Sequence, residues 1–154
     1  MTELHVVGPS GAGKTTLILG LIALLQRDRV QVAAIKHHHG GLSPERKDSA
    51  RLFATGTPTV LLAQDGVLEM ARAPSLDDAR RRLPPSTRLV LVEGIKEYPG
   101  PKVWVGPGCP PDLPGLLAVV AGAAPLGCLQ IAERDARVVY RQVIQPLLAG
   151  PDGR

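Results

Sequence analysis

Apolar positions along the first 35 residues change from a continuous run to helical spacing and back. Leu4-His5-Val6-Val7 is a short apolar run typical of a buried strand. Leu17 to Leu25 carries apolar residues at helical spacing, and Val30 to Ile35 is a second apolar run. A strand, a helix and a strand in this order predict a βαβ unit whose strands form a parallel pair.

Short elements follow between residues 47 and 92. The predicted elements are a helix at Lys47 to Thr55, a hairpin of Thr59 to Ala63 with Val67 to Ala71, a helix at Ser75 to Leu83 and a strand at Leu89 to Val92. The last of these is apolar at every position, which is typical of a parallel strand buried on both faces.

The remaining pattern predicts a strand at Val103 to Val105 and the last central strand at Leu116 to Val120. Ile131 to Leu148 predicts a C-terminal helix, with Pro146 distorting its last turn. The elements together predict an α/β fold, in which a mostly parallel sheet is flanked by helices in three layers (α/β/α) with a small β-hairpin insertion. We expect a single domain spanning residues 1–154.

The turn between the first strand and the first helix reads Gly8-Pro9-Ser10-Gly11-Ala12-Gly13-Lys14-Thr15, which matches the phosphate-binding loop G-x-x-x-x-G-K-[ST]. Its glycines let the backbone approach an anion, so that the N–H groups of the loop point inward. Lys14 is predicted to reach the β- and γ-phosphates of a nucleotide, and Thr15 to offer a hydroxyl to Mg²⁺. This order of strand, loop and helix predicts a P-loop nucleotide-binding domain.

An acid follows the most apolar strand, because Leu89 to Val92 runs directly into Glu93. The carboxyl ends of parallel strands face the crevice in which α/β sheets bind ligands. Glu93 is therefore predicted to hold Mg²⁺ or to orient an attacking water. The alternative is an acid at the end of a strand that only caps a turn.

The loop after the second strand begins Lys36-His37-His38-His39 and later contains Lys47-Asp48-Ser49. We expect this loop beside the phosphate loop, because the second strand is expected to neighbour the first. Lys36 is predicted to offset phosphate charge, while Asp48 is a candidate either for the magnesium shell or for a helix cap. In an extended chain, the side chains of His37 and His39 point to the same side. Three interpretations are open for them: they face the phosphate or a substrate, they bind a metal, or they lie in solvent.

Composition narrows the class of protein. The chain has 154 residues with 44% hydrophobic and 3% aromatic content, and its net charge of +4 suits a polyanionic nucleotide. Few aromatic residues are present for stacking bases, so we expect no nucleic-acid partner. No apolar run approaches the ~20 residues needed to span a bilayer. The early phosphate loop occupies the place of a signal peptide, so we expect a cytoplasmic protein. Cys109 and Cys128 form no C-x-x-C pair, and in a reducing compartment we expect no disulfide between them.

These motifs together resemble the family of molybdopterin-guanine dinucleotide biosynthesis protein B, or MobB. The family pattern G-x-S-G-x-G-K-T-T-L matches Gly8 to Leu17, and I-K-H with further histidines matches Ile35 to His39. K-D-S matches Lys47 to Ser49, and L-V-L-V-E-G-x-K matches Leu89 to Lys96. The combination is much more specific than the glycine loop alone.

The resemblance implies a GTP-binding adaptor that uses Mg²⁺ and assists the attachment of GMP to molybdopterin. It implies that nucleotidyl transfer belongs to a partner guanylyltransferase-type enzyme, that GTP hydrolysis is weak and that the protein is a homodimer. By position, the resemblance assigns phosphate and metal binding to Gly11, Gly13, Lys14, Thr15 and Thr16. It assigns the rest of the magnesium shell to Asp48 and Glu93. It places His37 and His39 in the loop that faces the second ligand.

Two positions depart from the family pattern. P-G-K-D-S is replaced by Pro44-Glu45-Arg46-Lys47-Asp48-Ser49, in which Glu45-Arg46 stand in place of the glycine. The family also tends to carry an Asp after its last strand, which is associated with guanine recognition. Leu116 to Val120 is followed here by Ala121-Gly122-Ala123-Ala124, and no N-K-x-D is present. The preference for GTP over ATP therefore depends on the resemblance.

Three other functions fit parts of the sequence. A small P-loop kinase needs an arginine-bearing lid, for which Arg80-Arg81-Arg82 is the candidate. A metallochaperone-type GTPase would use His37 to His39 as its metal loop. A pure interaction module with a vestigial loop is disfavoured by the presence of both Lys14 and Thr15.

Overall fold

A computed structural model of the protein describes residues 1–37, 48–71, 75–109 and 112–150, except for the side chains of residues 48–50. The chain divides into two compact units, one of Met1–His37 with Pro84–Arg154 and one of His38–Leu83. The single domain expected over residues 1–154 stays a prediction.

The described residues form eight strands and five α-helices. The strands are β1 (Thr2–Val7), β2 (Val32–Lys36), β3 (Thr59–Ala63), β4 (Gly66–Met70), β5 (Leu89–Glu93), β6 (Lys102–Val105), β7 (Leu116–Val120) and β8 (Leu129–Ile131). The helices are α1 (Lys14–Arg27), α2 (Asp48–Ala54), α3 (Leu76–Arg81), α4 (Ala136–Val139) and α5 (Gln145–Ala149), with a π-helical stretch at Tyr140–Ile144. Among these described helices, none combines the length and the apolar character needed to cross a membrane.

The first unit contains a six-stranded sheet in the order β2-β5-β1-β6-β7-β8, and every pair in it is parallel. The prediction that β2 neighbours β1 is wrong, because β5 lies between them: Leu91 is in register with Leu4 on one side and with Ala34 on the other. The inserted strand is fully buried over Leu89 to Val92, as a strand with neighbours on both sides requires.

Alternate residues of the sheet form the main core with the helices of the first unit. Leu4, Leu91, Val103 and Val120 face one side of the sheet and are fully buried. The helical residues packed into this core are Leu17, Ile18, Leu21, Leu25, Val139, Tyr140, Val143 and Ile144. The predicted mostly parallel sheet with flanking helices is thereby confirmed, and α1 is held firmly behind the loop that precedes it.

The other side of the sheet buries a charged residue. Lys102 in β6 is fully buried, and its ammonium donates to the carbonyls of Tyr98, Gly100 (3.0 Å) and Pro114 (2.7 Å). The ring of Tyr98 stacks on the buried His5 of β1 with a centroid distance of 4.5 Å. Burial lowers the pKa of Lys102, and the three carbonyls satisfy all of its donors.

The C-terminal region differs from the predicted single helix. Ile131 ends an additional strand, β8, so Leu116 to Val120 is not the last strand of the sheet. Asp135 caps α4 by accepting from the backbone N–H of Arg137 at 2.8 Å. The distortion predicted at Pro146 lies before it, in the π-helical stretch, because Pro146 lacks the N–H that would bond the carbonyl four residues earlier.

The second unit contains α2, the antiparallel hairpin β3–β4 and α3, which confirms the predicted hairpin and helices. Ser75 caps α3 by accepting from the N–H of Asp78 at 3.1 Å. The three consecutive arginines at the end of α3 pair with carboxylates of the same unit: Arg80 with Asp77, Arg81 with Asp78 and Arg82 with Glu69.

Candidate nucleotide site

The loop from Gly8 to Thr15 connects β1 to α1 at the carboxyl edge of the sheet. Gly8 has φ 144°, and a Cβ at this position would lie 2.1 Å from the carbonyl oxygen of Val105. Gly13 is the N-cap of α1 with φ 92°. Both positions therefore require glycine, and the motif takes the backbone course that brings its N–H groups to one side.

The side chain of Lys14 lies along the loop. Its Nζ donates to the carbonyl of Pro9 at 2.7 Å and to that of Gly8 at 3.2 Å. An ammonium at the start of α1 adds to the positive end of the helix dipole, so the loop presents a region of positive potential. Of the other loop residues predicted to contact a nucleotide, Ser10, Gly11 and Thr16 are exposed and Ala12 is buried.

Glu93 lies at the end of β5, which is hydrogen-bonded to β1. Its carboxylate accepts from the Thr15 hydroxyl at 2.7 Å, and its other oxygen lies 3.3 Å from Nζ of Lys36. Only 13% of the Glu93 side chain is exposed. Predicted residues from three segments thus meet on one side of the phosphate loop, and the Glu93 acid does more than cap a turn.

The sequence did not predict the strand order that brings Lys36 beside Glu93. It is paired in register with Glu93, because β2 lies directly beside β5 rather than beside β1. The ammonium of Lys36 and the carboxylate of Glu93 therefore lie on adjacent strands. A hydroxyl and a carboxylate are hard oxygen donors, so Thr15 and Glu93 form a donor set that fits Mg²⁺.

The chain turns sharply directly after Glu93. Gly94 has φ 102° and Ile95 has φ 59°, an unusual value for a β-branched residue and a local source of strain. A Cβ on Gly94 would lie 3.4 Å from Cβ of His37. His37 also donates its backbone N–H to the Glu93 carbonyl at 3.0 Å, so this exposed histidine lies at the same edge as the acid.

Some predicted site residues lie outside the described part of the chain. Helix α2 begins at Asp48, whose side chain is not among those described, and His38, His39 and Lys47 lie outside the described residues. Within the described ranges, no three His, Cys, Asp or Glu side chains converge on a possible metal position. Among the described residues, Cys109 and Cys128 form no disulfide, and burial raises the pKa of Cys109.

Arg134 was not identified from the sequence. It lies in the loop between β8 and α4, and a Cβ on Gly13 would lie 3.4 Å from its Cδ and 3.7 Å from its Nε. Because Ile131 to Leu148 was interpreted as one helix, Arg134 was not recognised as a loop residue. A basic residue in a short loop after a parallel strand would have been a usable signal.

The same loop corrects a second prediction. The expected absence of an acid after the last strand referred to Leu116 to Val120, but β8 is the last strand and is followed by Glu133 and Asp135. Asp135 is engaged as the cap of α4, whereas Glu133 is exposed. Two acids thus follow the last strand of the described sheet.

Comparison with protein families gives one match over most of the chain. The sequence model for molybdopterin guanine dinucleotide synthesis protein B, MobB, matches residues 3–107. That range includes the glycine loop, Lys36, His37, Asp48 and Glu93, and it ends before Arg134.

Two curated relatives are similar over the same region. A molybdopterin-guanine dinucleotide biosynthesis adapter protein of Haemophilus influenzae is 38% identical over 107 residues, which are 65% of this chain and 60% of that protein. A probable adapter protein of the same name from Bacillus subtilis is 33% identical over 110 residues, 66% of this chain and 62% of that protein. The chain thus spans about 60% of the length of the curated relatives that it matches.

Solved structures support the fold over nearly the whole chain. A crystal structure of molybdopterin-guanine biosynthesis protein B has a TM-score of 0.71 at 23% identity and covers 94% of this chain and 98% of that one. MobB of Bacillus subtilis has a TM-score of 0.72 at 22% identity, with 92% and 98% covered. A MobB homologue from Bacillus stearothermophilus has a TM-score of 0.61 at 26% identity, with 86% and 88% covered.

Proposed function

The chain belongs to the MobB family, and on this premise we propose that it is a GTP-binding adaptor of molybdenum cofactor biosynthesis. In this role it binds GTP with Mg²⁺ and assists a partner nucleotidyltransferase that attaches GMP to molybdopterin. The adaptor role is supported by the names of the curated relatives. The hydrogen bond of 2.7 Å between Thr15 and Glu93 carries the nucleotide-binding part of the proposal.

The roles of the site residues follow from their positions around the phosphate loop. The backbone N–H groups of residues 10–15 would bind phosphate oxygens, and Lys14 would move from the loop carbonyls to the β- and γ-phosphates. Thr15 and Glu93 would hold Mg²⁺, which when bound would offset negative charge on the phosphates. Lys36, which is 61% exposed, offsets the remaining negative charge near Glu93. Asp48, His37 and His39 complete the metal and second-ligand sides of the site in this proposal.

The proposal assigns slow GTP hydrolysis to this site. In the described part of the chain, the side chains bonded to the Glu93 carboxylate are Thr15 and Lys36, and neither supplies the water-orienting amide that fast GTPases use. The arginines considered for a kinase lid are engaged with Asp77, Asp78 and Glu69, which disfavours the kinase alternative. We therefore propose nucleotide binding, rather than turnover, as the main activity, in a cytoplasmic homodimer.

The test has a binding part and a reconstitution part. Calorimetry with Mg²⁺ present is expected to give higher affinity for GTP than for ATP. Addition of the protein to a molybdopterin guanylyltransferase with molybdopterin and GTP is expected to increase the yield of the dinucleotide. Absence of triphosphate binding would refute the nucleotide site. An unchanged yield of dinucleotide, with GTP binding intact, would refute the adaptor role alone.

A further inference from the structure

The two cations of the phosphate loop lie at its opposite ends. Nζ of Lys14 contacts the carbonyls of Gly8 and Pro9, at the end where the chain leaves β1. The guanidinium of Arg134 lies over Gly13, at the end where α1 begins, with Nε 3.7 Å and one terminal nitrogen 3.8 Å from a Cβ built on that glycine. The loop is therefore flanked by positive charge on both sides.

The strand order indicates which end of a nucleotide each cation would meet. Glu93 and Lys36 come from β5 and β2, on one side of β1, whereas Arg134 follows β8 at the opposite edge of the sheet. Magnesium in phosphate-loop proteins bridges the β- and γ-phosphates. The terminal phosphates of a bound nucleotide would thus lie on the Glu93 side, and its nucleoside and α-phosphate would extend towards β8.

From this arrangement we infer that Arg134 is a ligand of the nucleotide and contacts its α-phosphate. The inference rests on the proposed function, since it concerns the nucleotide of the same site. A guanidinium is a strong donor to phosphate oxygens. Arg134 is exposed, and within the described residues no carboxylate pairs with it, so its charge is available to an incoming anion.

Arg141 provides a matched control for Arg134. It is an exposed arginine of the same C-terminal region, but it lines a cavity with Leu24, Arg27 and Tyr140 at the far end of α1. Ten residues of helix separate Leu24 from Lys14, which is about 15 Å at 1.5 Å per residue. Arg141→Gln therefore removes one positive charge from the same unit without touching the phosphate loop.

The experiment compares Arg134→Gln and Arg141→Gln with the unaltered chain, by calorimetry with GTP, GDP and ATP in the presence of Mg²⁺. We expect Arg134→Gln to weaken all three nucleotides by the same factor, about 10- to 100-fold for a lost hydrogen bond to a charged group. Arg141→Gln is expected to leave the three affinities unchanged. A thermal midpoint of unfolding equal to that of the unaltered chain would show, for each variant, that the fold is retained.

Each other outcome contradicts the inference in a recognisable way. A loss for GTP without a loss for GDP would place Arg134 on the γ-phosphate, and a loss for GTP without a loss for ATP would place it on the base. Equal affinities in Arg134→Gln and the unaltered chain would exclude any contact. If the unaltered chain binds none of the nucleotides, the proposed function itself fails, which is a different result.

Discussion

The hydroxyl of Thr15 donates to the carboxylate of Glu93 at 2.7 Å, although 78 positions separate the two residues in the chain. Thr15 is held by the first turn of α1, and Glu93 by its pairing with β1 in the sheet. The contact therefore shows that the glycine loop and the carboxyl end of β5 lie at the same edge of the sheet. It also defines the pair of groups from which the effect of Mg²⁺ is predicted.

Glu93→Gln is predicted to abolish the contribution of Mg²⁺ to GTP affinity. The amide still accepts from Thr15 but carries no charge to attract the cation, so we expect affinity with Mg²⁺ to fall about 10- to 100-fold. Affinity measured in EDTA is expected to change little. Glu97→Gln, an exposed acid of the next loop, is the control. An unchanged ratio of the two affinities in Glu93→Gln would exclude this residue from the metal site.

Lys14→Ala is predicted to remove triphosphate binding while the fold survives. The ammonium makes its described bonds to loop carbonyls, which water replaces, so we expect only a small change in the thermal midpoint. GTP affinity is expected to fall by about 100-fold or more, since a charged donor to phosphate is lost. Lys96→Ala, whose amine lies 5.3 Å from the Trp104 ring centroid, should bind GTP normally. Retained affinity in Lys14→Ala would contradict the mechanism.

Gly8→Ala is predicted to destabilise the protein much more than Gly11→Ala. A Cβ at Gly8 would overlap the Val105 carbonyl, whereas one at Gly11 has no atom within 4 Å of it. We expect the free energy of unfolding to fall by roughly 3 kcal/mol or more for Gly8→Ala, and by about 1 kcal/mol for Gly11→Ala from its positive φ alone. Urea titrations followed by circular dichroism measure both. Equal losses of free energy would show that β6 does not approach Gly8 closely.

Stability is predicted to fall when the pH drops below the ordinary pKa of histidine. Burial lowers the pKa of His5 from its usual 6.5, against smaller opposing effects of the Gly94 carbonyl and Glu3, while nearby Lys102 adds to the lowering. The unfolded chain therefore binds a proton that the folded chain resists, and stability is lost as the pH falls from 6.5 towards the lowered value. The slope from this residue is at most about 1.4 kcal/mol per pH unit.

The measurement is the free energy of unfolding in urea between pH 5 and 7.5. His5→Phe keeps a ring against Tyr98 and is expected to flatten the profile in this range. A profile that stays equally steep in His5→Phe would assign the proton uptake to other groups.

Local patterns predicted the loop, α1, the hairpin and the run Leu89 to Glu93, because each has a clear period or motif over several residues. They did not predict that β5 enters between β1 and β2. Strand order depends on contacts between residues far apart in the chain, and here it placed Lys36 beside Glu93. The proximity expected for these residues was thus partly right for a wrong reason.

The C-terminal region shows a different limit of sequence reasoning. β8 contains only Leu129, Gln130 and Ile131, too few residues for alternation to be distinguished from one turn of a helix. The decisive signal was Asp135, an N-cap residue directly before the true start of α4. Recognition of that cap would have left Arg134 in a loop at the ligand-binding edge of the sheet.

The place of β5 in the sheet also constrains the order in which a nascent chain becomes competent to bind. When the ribosome has released the first 83 residues, β1 and β2 exist as sequence, but the strand that must separate them has not been made. The phosphate loop therefore lacks its acidic partner until Glu93 has been synthesised. A chain truncated before Glu93 therefore contains the complete glycine motif but lacks its partner acid.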